Sequence, residues 1–574
     1  MGQLRFRTAP HPLPGGAAAN SVLTDTVDAI DALSDSTVRA LDAAITRDDA
    51  ARSDDDRRDD SSSDVTIAPP PPPRSSGEGD TELRLEHADR SLPTDWADAL
   101  SQAYVTGYDG RVFPTTISID PDASSGPLLV CRRPVGDSGK LRVPWPVAGR
   151  GLRVLTTSSL RERDEPYDLA VELARGLLGE LRNQAAAWHQ SGMILPASYL
   201  KAEDESFRWF AKAACRTRDD ADEAAGLAQR AIESGCRASD ELMRAYTVQK
   251  LANRKSRPGQ LPVVLGCGLE DVPAGSERTT PVSGEEDTDL VDAPAQPAEA
   301  FAQAFSAASI PMHWPDVEPA EGQADWSAID PVVDWAEDRG LLLQGGPLLD
   351  FRPGGLPAWL QTWSVDEASF QSFLCDYVEF AKARYRGRVK FWSLAIGACT
   401  GGAFGLTEEQ RLTLVARLLE AARGSDDDSQ VFLEIDEPWG EYQSAGHHRI
   451  APLQFVDAIA RSNLGLEGLV LRLDLTADGG LARYRLLADT SRLVDQWSLF
   501  GLPLHIRLIV PTDQIDAPHW LSDQLPLLMA KPAVTAVFWS RYQDTATLST
   551  GAITVSGEAK PTHTVFANHH RQNR

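Results

Sequence analysis

Eight short apolar runs, each followed by an amphipathic helical stretch, fill the second half of this chain and constrain its fold more than any other feature. They are PVVLG (262–266), SIPMHW (309–314), LLLQGGPLLDF (341–351), VKFWSLAIG (389–397), QVFLEIDEPW (430–439), LVLRLDL (469–475), PLHIRLIV (503–510) and VTAVFWS (534–540). The intervening segments, such as WSAIDPVVDWAEDRG, SFQSFLCDYVEFAKARY and EEQRLTLVARLLEAARG, repeat apolar residues at three and four. Eight such units in about 300 residues predict an α/β fold closed as a parallel (β/α)8 TIM barrel, residues 259–574. The polar insertion Glu270 to Gln296 interrupts the rhythm after the first strand and is expected to be a mobile loop on the C-terminal rim.

Three segments precede the barrel. Residues 1–82 read as an acidic, proline-rich tail, because RDDAARSDDDRRDDSSSD and APPPPPRSSGEGD cannot bury enough apolar surface to offset chain entropy. An amphipathic helix over Val22 to Ile45 is one reading within it. The PPPPP run fits an extended linker or a dock for a proline-reading protein partner. Residues 83–160 hold short β-prone runs (RVFPTTISID, GPLLVCRRPV, KLRVPWPVA, LRVLTTSSL) between Gly, Asp and Pro, the pattern of a small β-sandwich-like domain. Its Trp145 suits either a sugar-stacking surface or a small β core. Residues 161–258 are a helical segment, rich in Ala and Leu and broken near glycines.

Charge narrows the ligand class. With 56 basic against 83 acidic residues the formal charge is −27, which argues against nucleic acid as a partner, since phosphate binding needs a basic face. Six cysteines (Cys131, Cys215, Cys236, Cys267, Cys375, Cys399) show no C-x-x-C spacing and read as small buried hydrophobes, with no metal centre or cofactor implied. No run is long enough to span a membrane, and MGQLRFRTAPHPLPGG lacks the apolar core of a secretory signal, so the expectation is a cytoplasmic protein.

Several motifs in order resemble glycoside hydrolase family 10, the family of endo-beta-1,4-xylanases. They are VEPAEGQADWSAIDPVVDWAEDRG (317–340), QGG (344–346), LPAWL (356–360), FGLPLHI (500–506) and GAITVSGEAKPTHTVF near the C-terminus. The resemblance implies a barrel acting on or binding a β-linked polysaccharide or oligosaccharide, with two carboxylates about 5–5.5 Å apart as acid/base and nucleophile. Aligning the family's strand-four run on Trp392 to Ala398 puts Gly397 at the acid/base position, and aligning its strand-seven run on HIRLIV puts Leu508 at the nucleophile. His505 matches the family's histidine there, and His313 replaces its strand-two lysine. Neither glycine nor leucine can ionise, so the resemblance in fold is accompanied by an expected loss of the family mechanism.

Other polar groups gather at the expected strand ends, where function resides in this fold. Glu437 as acid with Asp350 or Asp474 as nucleophile is one replacement pair; loop capping, or pairing of Asp436 and Glu437 with Arg541 and Arg507, is the alternative. His313, Asp436, Glu441, His505 and Arg541 are expected substrate contacts, and Trp314, Trp439, Tyr442 and Trp539 suit either a sugar-stacking cleft or core packing. Trp326 and Trp335, at helical spacing, read as packing residues, and His447 and His448 as solvated loop histidines. Two functions follow: a glycan-related, catalytically atypical barrel, or a non-catalytic scaffold built on a degenerate glycosidase fold.

Overall fold

The computed structural model describes residues 2–7, 99–120, 128–217, 220–255, 262–273, 297–364, 366–426, 428–476 and 484–573. The expected helix over 22–45, the PPPPP run and most of the rim insertion (274–296) lie outside the described residues. Among the described residues no helix is long and apolar enough to cross a membrane.

The β-rich region contains β1 (Gly2–Arg7), β2 (Tyr104–Thr106), β3 (Val112–Phe113), β4 (Thr116–Asp120), β5 (Leu128–Arg133), β6 (Lys140–Val147), β7 (Gly151–Thr156) and β8 (Tyr167–Asp168). They form two four-stranded sheets, ordered β4-β5-β1-β8 and β3-β2-β6-β7. β1 departs from the expectation that everything before residue 83 is tail. It pairs antiparallel with β5 and parallel with β8, and its sequence GQLRFR alternates polar and apolar residues as a half-buried strand does. The proline- and charge-rich composition that follows hid that short alternation.

Three helices follow as expected: α1 (Leu169–Gln190), α2 (Ala197–Arg216) and α3 (Ala221–Lys255). α1 approaches the end of β7 through Gly176, where a Cβ would stand 2.0 Å from the Thr156 carbonyl oxygen. Sheets and helices share one apolar core, which also takes Leu486, Leu487 and Leu527 from the barrel. Trp145 belongs to that core, its Nε1 donating to Gln229 Oε1 of α3 at 2.8 Å.

The barrel strands are β9 (Val264–Gly268), β10 (Ala307–Ile310), β11 (Leu342–Gly345), β12 (Leu349–Asp350), β13 (Phe391–Ser393), β14 (Ala395–Ile396), β15 (Gln430–Ile435), β16 (Gly468–Asp474), β17 (Leu504–Ile509) and β18 (Val534–Trp539). A closed parallel barrel runs β10-β11-β13-β15-β16-β17-β18-β9. Every expected strand is present, with altered ends. The second stops at Ile310 because Pro311 offers no N–H to the ladder. The third continues past the cis Gly346–Pro347 bond as β12, which pairs with β14, the continuation of the fourth beyond Leu394. The helix Glu408–Ser425 starts on a capping box: Thr407 Oγ1 accepts from Gln410 N, and Gln410 Oε1 accepts from Thr407 N.

The barrel interior is filled in layers. Toward the bottom, His505 stacks on Phe432 at 4.2 Å and meets Phe391 and Phe538, while its Nδ1 lies 3.1 Å from Gln344 Oε1. Glycines make room for these rings: a Cβ at Gly468 would lie 2.1 Å from Phe432. Above them sits Glu434, 1% exposed, held by Arg507 at 3.2 Å, Arg472 at 3.3 Å and Ser393 at 2.8 Å. Burial alone would raise its pKa, but Arg507 and Arg472 outweigh that and lower it, so Glu434 is ionised. Arg507 also donates to Ser309 Oγ at 3.0 Å. Of the cysteines, Cys131, Cys236, Cys267 and Cys399 are buried as expected, whereas Cys215 is exposed and Cys375 half-buried on helices; all six are free thiols.

Burial, reinforced by the Arg507 cation, pushes the His505 imidazole down from 6.5 to about 3. The unfolded chain therefore takes up a proton below pH 6.5 that the folded protein refuses, and this share of stability is lost as pH falls from 6.5 toward 3. We expect urea denaturation between pH 6.5 and 5 to give a stability slope steeper for the wild type than for His505→Gln by about 1 kcal/mol per pH unit. Parallel curves would refute it.

Candidate functional site at the barrel mouth

The loops after β15 and β16 build a cavity of about 150 Å³ at the C-terminal end of the barrel. Asp436, Glu437, Trp439 and Glu441 come from the first loop, and Arg472 and Asp474 from the end of β16. Strand alternation aims Glu434 into the interior and Asp436, two residues on, toward the mouth above it. The walls combine carboxylates with the arginines Arg352, Arg472 and Arg485 and the rings of Trp439 and Trp520.

Each carboxylate here has a partner. Asp350 is gripped in a fork by Arg352, with Nε 2.9 Å from Oδ1 and Nη2 2.6 Å from Oδ2, and it also accepts from the Arg352 N–H. Asp474 receives Arg472 at 3.3 Å and the Thr476 hydroxyl at 2.7 Å. Thr400 donates to Asp436, yet burial still pushes the Asp436 carboxyl above its ordinary range. That disposes Asp436 to hold a proton. Glu441 is buried against Arg485 and accepts from Tyr104 at 3.3 Å, while Arg485 donates to the Tyr104 oxygen at 2.6 Å. This triad ties β2 to the loop after β15, helped by the Thr115 N–H donating to the Ser444 carbonyl at 2.9 Å.

Of the residues read from the sequence, Asp436, Glu437, Trp439, Glu441 and Asp474 come together around the cavity. Asp350 stands behind its partner Arg352, which does line it. The Arg485 guanidinium covers the Trp439 ring at 4.1 Å. The remaining residues lie elsewhere. Trp314 is in the core, stacked on Tyr377 at 4.6 Å, with its Nε1 donating to Glu318 at 2.8 Å. Trp539 packs against Phe566, facing the helical layer because its neighbour Phe538 takes the inward position. Tyr442 donates to the Ile450 carbonyl at 3.1 Å, and His505 is two layers below the mouth. Arg541 pairs with Glu270 at 2.5 Å rather than with Asp436 or Glu437, and Arg507 pairs with Glu434. His313 precedes the short helix Trp314–Val317. Trp326 and Trp335 are buried as expected; His447 is exposed, and His448 stands 3.6 Å from Glu408. Among the described residues no cluster has the makings of a metal site.

Sequence reasoning missed the cations. Arg352, Arg472 and Arg485 line the cavity, and each neutralises a carboxylate. A signal existed for Arg472: in LVLRLDL it has the same parity as Asp474, so it shares the inward face.

Gly397 follows β14 with φ +70°, and a Cβ there would lie 2.8 Å from Arg352 Cγ and 3.0 Å from the Arg352 backbone nitrogen. The Asp350–Arg352 turn thus occupies the space a side chain at 397 would need. Leu508 is fully buried, paired in the ladder with Leu473 and Trp539. Replacing Gly397 by Glu is expected to cost roughly 1–3 kcal/mol through left-handed backbone strain and crowding. It should not by itself confer glycoside hydrolysis; equilibrium denaturation and reducing-sugar release check the two halves.

Residues 292–397 match the family model for glycosyl hydrolase family 10. The chain is 26% identical over 162 residues to endo-1,4-beta-xylanase A of Phanerodontia chrysosporium, covering 28% of this chain and 38% of that protein. It is 22% identical over 162 residues to an endo-1,4-beta-xylanase of Agaricus bisporus, covering 28% of this chain and 47% of that protein. The chain therefore spans less than half the length of these relatives. Among solved structures, xylanase 10B from Thermotoga petrophila aligns with TM-score 0.41 and 12% identity, over 55% of this chain and 95% of that one. The C-terminal half of this protein is thus a closed TIM barrel in which one segment, from before β10 to just past β14, is similar to glycoside hydrolase family 10.

Proposed function

We propose that the barrel binds a β-linked, xylan-like glycan at its C-terminal mouth and has lost the two-carboxylate mechanism of the family it resembles, with Gly397 and Leu508 at the acid/base and nucleophile positions. The observation that carries this reading is the packing at Gly397: the Arg352 turn fills the space in which an acid would project. Clamped carboxylates support it as well. A retaining pair needs one group poised to give a proton and one free to attack. Asp350 is neutralised by a bidentate guanidinium, and Asp474 is held by Arg472 and Thr476. Asp436 and Glu437 line the cavity and would orient sugar hydroxyls, and the edge of Trp439 supplies an apolar wall.

The cavity size limits what enters. At about 150 Å³ it falls below the ~300–1,000 Å³ of typical small-molecule sites, which suits a single sugar unit better than a run of them. A non-catalytic scaffold is the second reading, favoured by the core that the N-terminal sheets and helices share with the barrel and by the buried Tyr104–Glu441–Arg485 triad.

Calorimetric titration with xylo- and cello-oligosaccharides, alongside an assay for reducing ends, tests the proposal. Binding without turnover is expected, and Trp439→Ala should weaken it about tenfold, equivalent to ~1.4 kcal/mol. Turnover abolished by Glu437→Gln would establish a replacement catalytic pair instead. Absence of both binding and turnover would leave the scaffold.

A further inference from the structure

A second, larger cavity of about 930 Å³ opens where the β6–β7 turn, α2, α3 and the barrel meet. It borders the mouth cavity: Arg485, Trp520 and Gln524 line both. Six arginines and five carboxylates face it, a local cationic excess in a protein whose formal charge is −27. Most of these arginines are spoken for. Arg150 pairs with Asp240 at 2.5 Å, Arg237 with Glu205 at 3.1 Å, Arg244 with Glu241 at 3.3 Å and Asp523 at 3.8 Å, and Arg485 with Glu441.

Two are not. Arg153 lies over the Tyr484 ring at 3.9 Å and donates to the Leu152 carbonyl, and Arg230 lies 5.0 Å from the Trp209 ring centre. Among the described residues no carboxylate comes within 4.0 Å of either guanidinium. Arg153 is half-buried, and burial pulls its pKa down to about 10, the mark of a cation short of compensation. Glu233, which accepts from Gln229, and Asp516, which accepts from the His519 N–H, add negative charge to the same walls and rule against a polyanion. What the walls suit is one negative charge on a body that is otherwise neutral, hydroxylated and flat-faced. Trp209 and Trp520, both half-buried, supply flat apolar surface for such a body.

We propose that this cleft binds an acidic saccharide, a hexuronate unit whose carboxylate is received by Arg153 and Arg230 and whose pyranose ring lies against Trp209 or Trp520. The anionic part rests on the two guanidiniums alone; the saccharide part rests on the glycan reading of the barrel. A charge-assisted, bidentate contact would distinguish the uronate from a neutral sugar.

The test uses the full chain with three probes: cellobiouronic acid, its neutral parent cellobiose, and inorganic phosphate. The uronate is expected to bind at least tenfold more tightly than cellobiose. Arg153→Gln and Arg230→Gln should each remove most of that preference and leave cellobiose affinity unchanged. Arg230 is on the exposed face of α3, so its variant keeps the test valid should Arg153→Gln disturb the Tyr484 packing, which melting curves would reveal. Equal affinity for uronate and cellobiose overturns the proposal, as does indifference to both substitutions. Phosphate bound with the same arginine dependence, and uronate not bound, would also overturn it in favour of a simple oxyanion site. Uronate binding that is lost in Trp439→Ala but insensitive to both arginine variants would refute this inference while sustaining the mouth site. Uronate binding that is lost in both arginine variants, with cellobiose binding unaffected by Trp439→Ala, would refute the mouth site while sustaining the cleft.

Discussion

A carboxylate surrounded by guanidiniums in the middle of the barrel holds the upper half of the structure in place. Glu434 is among the most deeply buried charges among the described residues, and two arginines and a serine from neighbouring strands converge on it. Removing one member of such a set strands the others without solvent, which typically costs about 3–5 kcal/mol. Arg472 then reaches from that layer to Asp474, so the charge pattern of the interior dictates how the mouth is arranged.

This arrangement changes what the rim carboxylates can do. In a retaining glycosidase, nucleophile and acid differ in proton affinity because their surroundings differ. At this rim, arginines sit beside Asp350, Asp474 and Glu441, and burial lifts Asp436. On the proposed reading, such a rim would hold a ligand rather than attack one. The N-terminal sheets add to this: Tyr104 reaches Glu441 and joins the mouth to a region outside the barrel, while the same junction opens the larger, arginine-lined cleft.

Much of the fold was legible from residues. Continuous apolar runs such as PLHIRLIV can be buried on both faces only in a parallel sheet covered by helices, and the eight of them close the barrel. Acidic groups of the LEIDEPWGEY run were legible too, because strand parity and the position at a strand end decide where they point. Less of the aromatic set could be placed. Trp314 and Trp439 both follow strand ends, but one stacks on Tyr377 in the core and the other walls the cavity. Local sequence cannot distinguish them, since the difference lies in which helix residue stands opposite.

By itself, the sequence determined the barrel, its strand order, the helical segment and the absence of ionisable side chains at positions 397 and 508, because periodicity and residue identity are local properties. Only the tertiary structure decided which charges meet. Arg507 turned inward to Glu434 and Arg541 outward to Glu270; residues 2–7 were recruited as a strand by β5 and β8; and Arg153 and Arg230 were left facing a cleft without a carboxylate at hand. Each of these depends on distances of a few ångströms between residues far apart in the chain, and electrostatic pairing falls off too steeply with separation for sequence spacing to specify it.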